Sequence, residues 1–165
     1  MKKILYFVLG AMILASCSNV KEASSKATGG LEQYRYDIDY VKNSGDGMSL
    51  VKVWSYGKPA RAAEEKCKAN AVHGVIFKGY SGNGTVQPAL VRSANAYEDN
   101  KDFFDNFFHN GDYLRYVSST VEGSTEVRKL KGGEYKASMV VNVNVKQLRQ
   151  ALEQAGVTRG LSTGF

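Results

Sequence analysis

Histidines, carboxylates and one glycine-rich run are the features of this sequence that could support acid–base, metal or phosphate chemistry. His73 and His109 are the two histidines, and neither has a second ligand at metal-binding spacing. The run at 79–84 follows a predicted helix and lacks the lysine and hydroxyl ending of a phosphate loop. Four acidic side chains near a predicted helix start are explained by the helix dipole. They are Glu98, Asp99, Asp102 and Asp105. We therefore predict no catalytic site, no metal site and no cofactor, and no enzyme activity.

Cys17 ends the most specific motif in the chain. Two lysines near the start are followed by an almost wholly apolar run over residues 4–14, and then by the sequence LASC at 14–17. This order is typical of a lipoprotein signal peptide, whose small-residue cleavage site ends in the cysteine to be acylated. The apolar run is too short for a retained membrane-spanning helix. We predict lipidation of Cys17; the alternative is an ordinary secretory signal with a chance cysteine.

Cys67 has no partner in the chain once Cys17 is acylated. In an exported protein a leftover cysteine indicates either a reactive thiol or an intermolecular bridge. However, Cys67 lies on a stripe of small residues at helical spacing, together with Ala63, Ala71 and Gly74. This position favours a third interpretation, in which a buried cysteine acts as a small hydrophobic residue.

The charge balance argues against nucleic acid as a partner. The chain has a formal charge of +6, and removal of the two lysines in the signal segment leaves 20 basic against 16 acidic residues. Nucleic-acid binding calls for clustered basic residues with stacking aromatics, and this excess is diffuse. One predicted hairpin is more basic and could either meet an anionic surface or protect an edge strand from pairing. Its basic residues are Arg128, Lys129, Lys131 and Lys136.

Composition shifts divide the chain into four parts. We predict a signal peptide at 1–16, an acylated cysteine and flexible tether at 17–32, a single domain at 33–157 and a flexible tail at 158–165. Hydrophobic residues make up 43% of the chain and charged residues 23%, as in ordinary globular proteins.

The order of predicted elements indicates an α+β domain. A hairpin over 34–56 precedes a helix over 59–78; a loop at 80–93 and a second helix at 95–109 follow. Strands at 113–121, 125–130 and 135–144 then precede a last helix that starts at Val145. The predicted fold is a mostly antiparallel sheet of four to five strands with two to three helices packed on one face.

The second predicted helix carries more aromatic residues than one face of it can bury. Tyr97, Phe104 and Phe108 share a side, whereas Phe103 and Phe107 lie about 100° round the helix. We predict that Phe103 and Phe107 stay partly exposed and bind a partner, since aromatic anchors dominate interface energetics. The alternative is that apolar residues of the first helix cover them within the same chain.

Residues 50–156 resemble a group of uncharacterised envelope lipoproteins of the Bacteroidota. The resemblance is carried by the stretches LVKVWS at 50–55, NAVHGVIFKG at 70–79 and FFDNFF at 103–108. The order of elements also resembles the small domains of LPP20-type lipoproteins and of the N-terminal region of the flagellar T-ring protein. A sharper resemblance is to the lipoprotein subunit of the type VI secretion trans-envelope complex of that phylum. The resemblance implies a scaffolding role, and it supplies no catalytic residues.

We therefore expect a membrane-anchored lipoprotein that acts as a structural or assembly subunit of an envelope-spanning, secretion-type complex. Ser18 after the acylated cysteine, in place of an aspartate that retains lipoproteins in the inner membrane, favours the outer membrane. We predict a periplasm-facing position there; the inner membrane and the opposite facing stay open alternatives. Its partners would be the membrane and other envelope proteins, and its oligomeric state is open. The alternative is a periplasmic module that binds cell-wall or other small ligands.

Overall fold

A computed structural model of the protein describes residues 34–158. The predicted signal peptide, Cys17 and the whole predicted tether lie outside the described residues, as does the predicted tail beyond Thr158. The described residues thus cover the predicted domain at 33–157 apart from its first residue.

The domain is an α+β sheet-and-helix sandwich, as predicted. Within residues 34–158, the sheet has seven strands. They are β1 (Tyr36–Asn43), β2 (Met48–Gly57), β3 (Tyr80–Gly82), β4 (Thr85–Gln87), β5 (Val117–Thr120), β6 (Glu126–Lys129) and β7 (Tyr135–Asn144). Their order in the sheet is β4-β3-β1-β2-β7-β5, and β6 also pairs with β7. Every pairing is antiparallel apart from that of β1 with β3. The helices are α1 (Ala60–His73), α2 (Ala96–Asp99), α3 (Lys101–His109) and α4 (Val145–Gln154).

The sheet has more strands than the predicted four to five because part of the predicted loop at 80–93 is a hairpin. Asn83 and Gly84 both have positive φ, 49° and 75°, as the two central residues of a type I′ turn require. An Asn-Gly pair is a strong hairpin signal, and the loop prediction overlooked it. The hairpin joins the sheet where β3 pairs with β1, at Asp39 and Ser81.

The stripe of small residues on α1 packs against the sheet, as predicted. Ala63, Cys67 and Ala71 are all fully buried. The Cys67 thiol donates to the carbonyl oxygens of Ala63 at 3.5 Å and Ala137 at 3.8 Å, and burial raises its pKa. Cys67 is therefore a buried small residue in this fold. A π-helical turn, Gly74–Lys78, continues α1 and ends at Gly79.

The second predicted helix is interrupted, which corrects the prediction of one helix over 95–109. Asn100 has φ −126° and ψ 36°, outside the helical region, and its side chain donates to the Ala96 carbonyl at 2.9 Å. This local hydrogen bond competes with the backbone ladder, as short amide side chains often do. Asn95, at the start of the predicted helix, makes no side-chain capping bond.

The predicted strand at 113–121 is also shorter than expected. Its first half is a 3₁₀ helix, Asp112–Tyr116, which begins after Gly111 in the left-handed conformation. Tyr113 packs on Phe108 with ring centroids 5.8 Å apart, and Tyr116 on Phe107 at 5.7 Å. These tertiary contacts override the strand propensity of the tyrosines.

α4 starts where the sequence predicts it. The Asn144 side chain accepts from the Gln147 backbone N–H at 3.0 Å, which satisfies one of the free donors at the helix start. Leu148 and Leu152 are fully buried. They belong to the same core cluster as Val51 and Val141 of the sheet.

The helices supply buried residues to one face of the sheet only. Side chains alternate between the two faces of a strand, so the neighbours of Val51 and Val53 in β2 point away from the core. These neighbours, Lys52, Trp54 and Tyr56, are half-buried. Trp54 and Tyr56 are not among the described hydrophobic residues that pack against the core beneath the helices. We call this side the helix-free face.

Candidate functional site

The centre of the helix-free face is set by the pairing of β2 with β1 and β7. Trp54, the only tryptophan of the chain, lies opposite Asp37 on one side and Ser138 on the other. Two residues further along β2, on the same face, Tyr56 lies opposite Lys136. The strand register therefore places residues that are distant in sequence in two neighbouring cross-strand rows, one through Trp54 and the other through Tyr56.

Cations lie over both aromatic rings of this face. The Arg35 guanidinium carbon is 4.1 Å from the centroid of Tyr56, and Lys136 Nζ is 5.3 Å from the same centroid. Lys52 Nζ is 5.3 Å and Lys136 Nζ 5.7 Å from the ring of Trp54. A ring face carries partial negative charge and attracts such cations. We call Arg35, Lys52, Trp54, Tyr56 and Lys136 the aromatic–basic surface.

Two carboxylates hold the cations of this surface in place. Glu134 pairs with Arg35 at 3.2 Å, and Asp37 lies 4.0 Å from Lys136 Nζ. In each pair one side chain is exposed and the other half-buried, so each pair contributes only about 0–1 kcal/mol to stability. Their effect is to position the charged groups beside the rings.

An open groove of about 330 Å³ lies beside Trp54 and is lined by residues of β2, β6 and β7 and by Leu130 just after β6. Side chains of both charge signs and apolar side chains line it. They are Trp54, Glu126, Val127, Arg128, Leu130, Lys136 and Ser138.

Ser138 is the polar group of this groove that stands out. The residue is 3% exposed, and its hydroxyl has no hydrogen-bond partner among the described residues. Leaving a buried hydroxyl unpaired costs roughly 1–3 kcal/mol, so buried polar atoms normally have a partner. A hydroxyl can both donate and accept, which suits it to a polar ligand atom.

Phe103 and Phe107, the predicted partner-binding pair, occupy different environments. Phe107 is 5% exposed and belongs to the core cluster that also contains Val72 and Ile76 of the first helical segment. The prediction that Phe107 is partly exposed is therefore wrong, because Tyr116 of the 3₁₀ helix packs against its ring. Phe103 is half-buried and stacks on Phe107, with centroids 5.6 Å apart. A partner-binding role for Phe103 stays a prediction.

His73 is buried within an aromatic cluster on the helical side of the sheet. Its Nδ1 is 2.7 Å from the hydroxyl of Tyr36, and its ring stacks on Tyr34 with centroids 3.7 Å apart. Burial, assisted by the charge of Lys78, lowers the pKa of His73 to about 3. The imidazole is therefore neutral at physiological pH. Depending on its tautomer, Nδ1 accepts a hydrogen bond from the Tyr36 hydroxyl or donates one to it.

Asp105, one of the four acidic residues singled out in the sequence, makes contacts within its own helical segment. Asp105 pairs with Lys101 and accepts from the Tyr97 hydroxyl at 2.9 Å. The hydrogen bond from Lys101 lowers the pKa of Asp105. Across residues 34–158, no three histidine, cysteine or acidic side chains come together as metal ligands.

The sequence predicts which residues within one strand share the aromatic–basic surface, but not which strands lie side by side. Alternation at Arg35, Asp37 and Asp39 predicts the wet face of β1, and the same period places Lys52, Trp54 and Tyr56 together. Which strands pair with β2 could not be seen from these periods.

Comparisons with protein families, curated proteins and solved structures find no match to this chain. Among the described helices, none is both long and apolar enough to cross a membrane.

Proposed function

We propose that this protein is a non-catalytic, lipid-anchored structural or assembly subunit of an envelope-spanning, secretion-type complex in bacteria. Acylation of Cys17 would hold it in the outer membrane, facing the periplasm. The domain would then dock onto another envelope protein. The LASC motif and the resemblance to Bacteroidota envelope lipoproteins support this proposal.

The observation that carries the docking role is the aromatic–basic surface on the helix-free face. Tryptophan, tyrosine and arginine are the residue types that contribute most to protein–protein binding energy. Here Trp54, Tyr56 and Arg35 stand together on a rigid sheet, and contacts with neighbouring charges already order their side chains. Such ordering lowers the entropy that a partner would otherwise lose on binding.

In-cell photo-crosslinking tests this role. A photoreactive amino acid replaces Tyr56 in one strain and Gln150, an exposed residue of α4 on the helical side, in a second strain. We expect one discrete adduct with another envelope protein from position 56 and none from position 150. Equal adducts from both positions, or none from either, would overturn docking through this face. The variant Cys17→Ala, which should leave the membrane, is crosslinked from position 56 as well. It shows whether loss of the anchor alone removes the adduct.

A second candidate function is favoured by the unpaired hydroxyl of Ser138 in the groove. Under this hypothesis the domain binds small cell-wall fragments, with Arg128 and Lys136 meeting carboxylates and Trp54 stacking on an apolar sugar face. Titration with soluble cell-wall fragments would then change the fluorescence of Trp54.

Ser138→Ala provides the matched control. Removing a hydroxyl that has no partner among the described residues is expected to leave the free energy of unfolding unchanged or slightly raised. It would weaken fragment binding because the ligand loses one hydrogen bond. A titration that is flat up to millimolar fragment would exclude this second function.

A further inference from the structure

The chain enters the domain at one defined end of the sheet. β1 begins at Tyr36, which pairs with Ser55 near the end of β2. The last residue of β2, Gly57, pairs with Tyr135 at the start of β7, and Lys129 at the end of β6 pairs with the same Tyr135. The segment that arrives from Cys17, the β2–α1 turn and the β6–β7 turn therefore share this end.

The same end carries four exposed cations that make no ion pair with a described carboxylate. They are Lys58, Arg128, Lys129 and Lys131, and we call them the basic end. Lys58 Nζ donates to the Gly132 carbonyl at 2.6 Å, which joins the two turns. Three residues of the basic hairpin recognised in the sequence thus share this end with Lys58, whereas Lys136 belongs to the aromatic–basic surface. β6 is also an edge strand, so its charges serve edge protection at the same time.

We propose that the basic end rests on anionic lipid headgroups of the membrane that holds the acylated Cys17. This inference rests on the proposed lipid anchor. Residues 18–33 between the anchor and the domain are 16 in number, and as the predicted flexible tether they would have a mean reach of about 20–24 Å, shorter than the long strands of the sheet. The end where they join the sheet is therefore held close to the bilayer, and its charge is complementary to anionic lipids. Each basic residue near such a surface strengthens binding roughly fivefold, and the attraction acts within about one Debye length.

Two lysines at the opposite end of the sheet provide a matched comparison. Lys42 is exposed at the end of β1 and Lys146 at the start of α4, beside the turn that joins β1 to β2. Both are ordinary surface lysines, so changing them removes the same charge from the protein. They differ from the basic end in lying far from the chain entry.

The test uses the acylated full chain reconstituted in vesicles. Because Cys17 is acylated and Cys67 is fully buried, one added cysteine takes a fluorescent label selectively. The two labelled forms are Lys131→Cys and Lys42→Cys, and a quencher is attached to the lipid headgroups. Vesicles contain phosphatidylcholine alone or with one third phosphatidylglycerol.

We expect headgroup quenching of the label at 131, but not at 42, in the anionic vesicles, and loss of that quenching in high salt. In the 131-labelled chain, the double substitution Lys129→Gln and Arg128→Gln should lower the constant for binding of the domain to the anionic surface roughly 30-fold. The quenching of the label should fall accordingly. The pair Lys42→Gln and Lys146→Gln should leave it unchanged. Equal quenching at both positions, or the same quenching in neutral vesicles, would overturn the proposal.

The vesicle fraction separates this result from failure of the anchor. A chain that stays with the vesicles in high salt, yet shows no difference between the two labels, retains the anchor and refutes the lipid-facing end. A chain that leaves the vesicles in high salt refutes the anchor itself. In that case Cys17 takes the label equally in both forms, and stronger quenching at low salt in the form labelled at 131 than in the form labelled at 42 still supports the basic end.

Discussion

Replacing Gly74 by alanine tests how closely α1 and the π-helical turn that follows it approach the sheet. Gly74 has φ −62° and ψ −41°, so its backbone accepts any residue. A β-carbon at this position would lie 2.7 Å from Ile38 Cδ1 and 3.2 Å from a ring carbon of Tyr36. The first distance is too short for any real contact, so Ile38 must move.

Two effects of opposite sign set the expected change in the free energy of unfolding. Alanine is favoured over glycine in a helix by about 1 kcal/mol. Overpacking of a filled core costs about 1–3 kcal/mol. The nearest atom is the flexible end of a side chain, but the Tyr36 ring beside it is held by its hydrogen bond to His73. We therefore expect Gly74→Ala to destabilise the domain by about 1 kcal/mol.

A double-mutant cycle with Ile38→Val isolates the steric contact, because valine lacks the Cδ1 atom. Ile38→Val alone should cost about 0.5–1.5 kcal/mol. In that background Gly74→Ala should become neutral or stabilising, which gives a coupling of about 1–2 kcal/mol. Urea unfolding followed by Trp54 fluorescence and by circular dichroism measures all four proteins. Additive effects, within about 0.5 kcal/mol, would show that the helix does not press on Ile38.

Three further predictions concern cysteine chemistry and pH. Cys17→Ala should abolish incorporation of radiolabelled palmitate and release the protein from the membrane fraction; unchanged labelling would refute lipidation. Cys67 should react with a thiol reagent only at the rate of unfolding, because it is fully buried with a raised pKa; rapid alkylation of the folded protein would contradict this. In the unfolded chain His73 is protonated near pH 6.5, whereas in the folded protein it stays neutral down to about pH 3 because burial lowers its pKa. Stability should therefore fall by up to about 1.4 kcal/mol per pH unit as the pH drops through this window. Urea titrations of the wild type and of His73→Gln check this, since the variant should lose that part of the slope.

Elements whose signals are local could be predicted from the sequence. The stripe of Ala63, Cys67 and Ala71 is a property of one helix, and the Asn144 cap involves residues three positions apart. The stripe and the start of α4 at Val145 are both in the predicted place. Their energies come from neighbours along the chain or from a single buried face, so a periodic pattern is enough to reveal them.

Features that depend on tertiary contacts were missed or misassigned. Tyr113 and Tyr116 have strand propensity, yet their rings pack on α3 and the backbone forms a 3₁₀ helix instead. The aromatic–basic surface joins Arg35, Tyr56 and Lys136, which are far apart in sequence. Their proximity follows from β2 pairing with both β1 and β7. No spacing within one strand contains that information.

The strand register links the two proposed surfaces. β2 and β7 each have ten residues, about 33 Å at roughly 3.3 Å per residue, and both reach from the basic end to the opposite side of the domain. With the basic end on the bilayer, the strands stand away from it and the helix-free face is turned sideways. Tyr56 and Lys136 form the row next to Gly57 and Tyr135, so the aromatic–basic surface begins within about one residue of the basic end. A partner bound there must itself lie close to the membrane. This placement favours a second anchored envelope protein over a partner that approaches from the open periplasm.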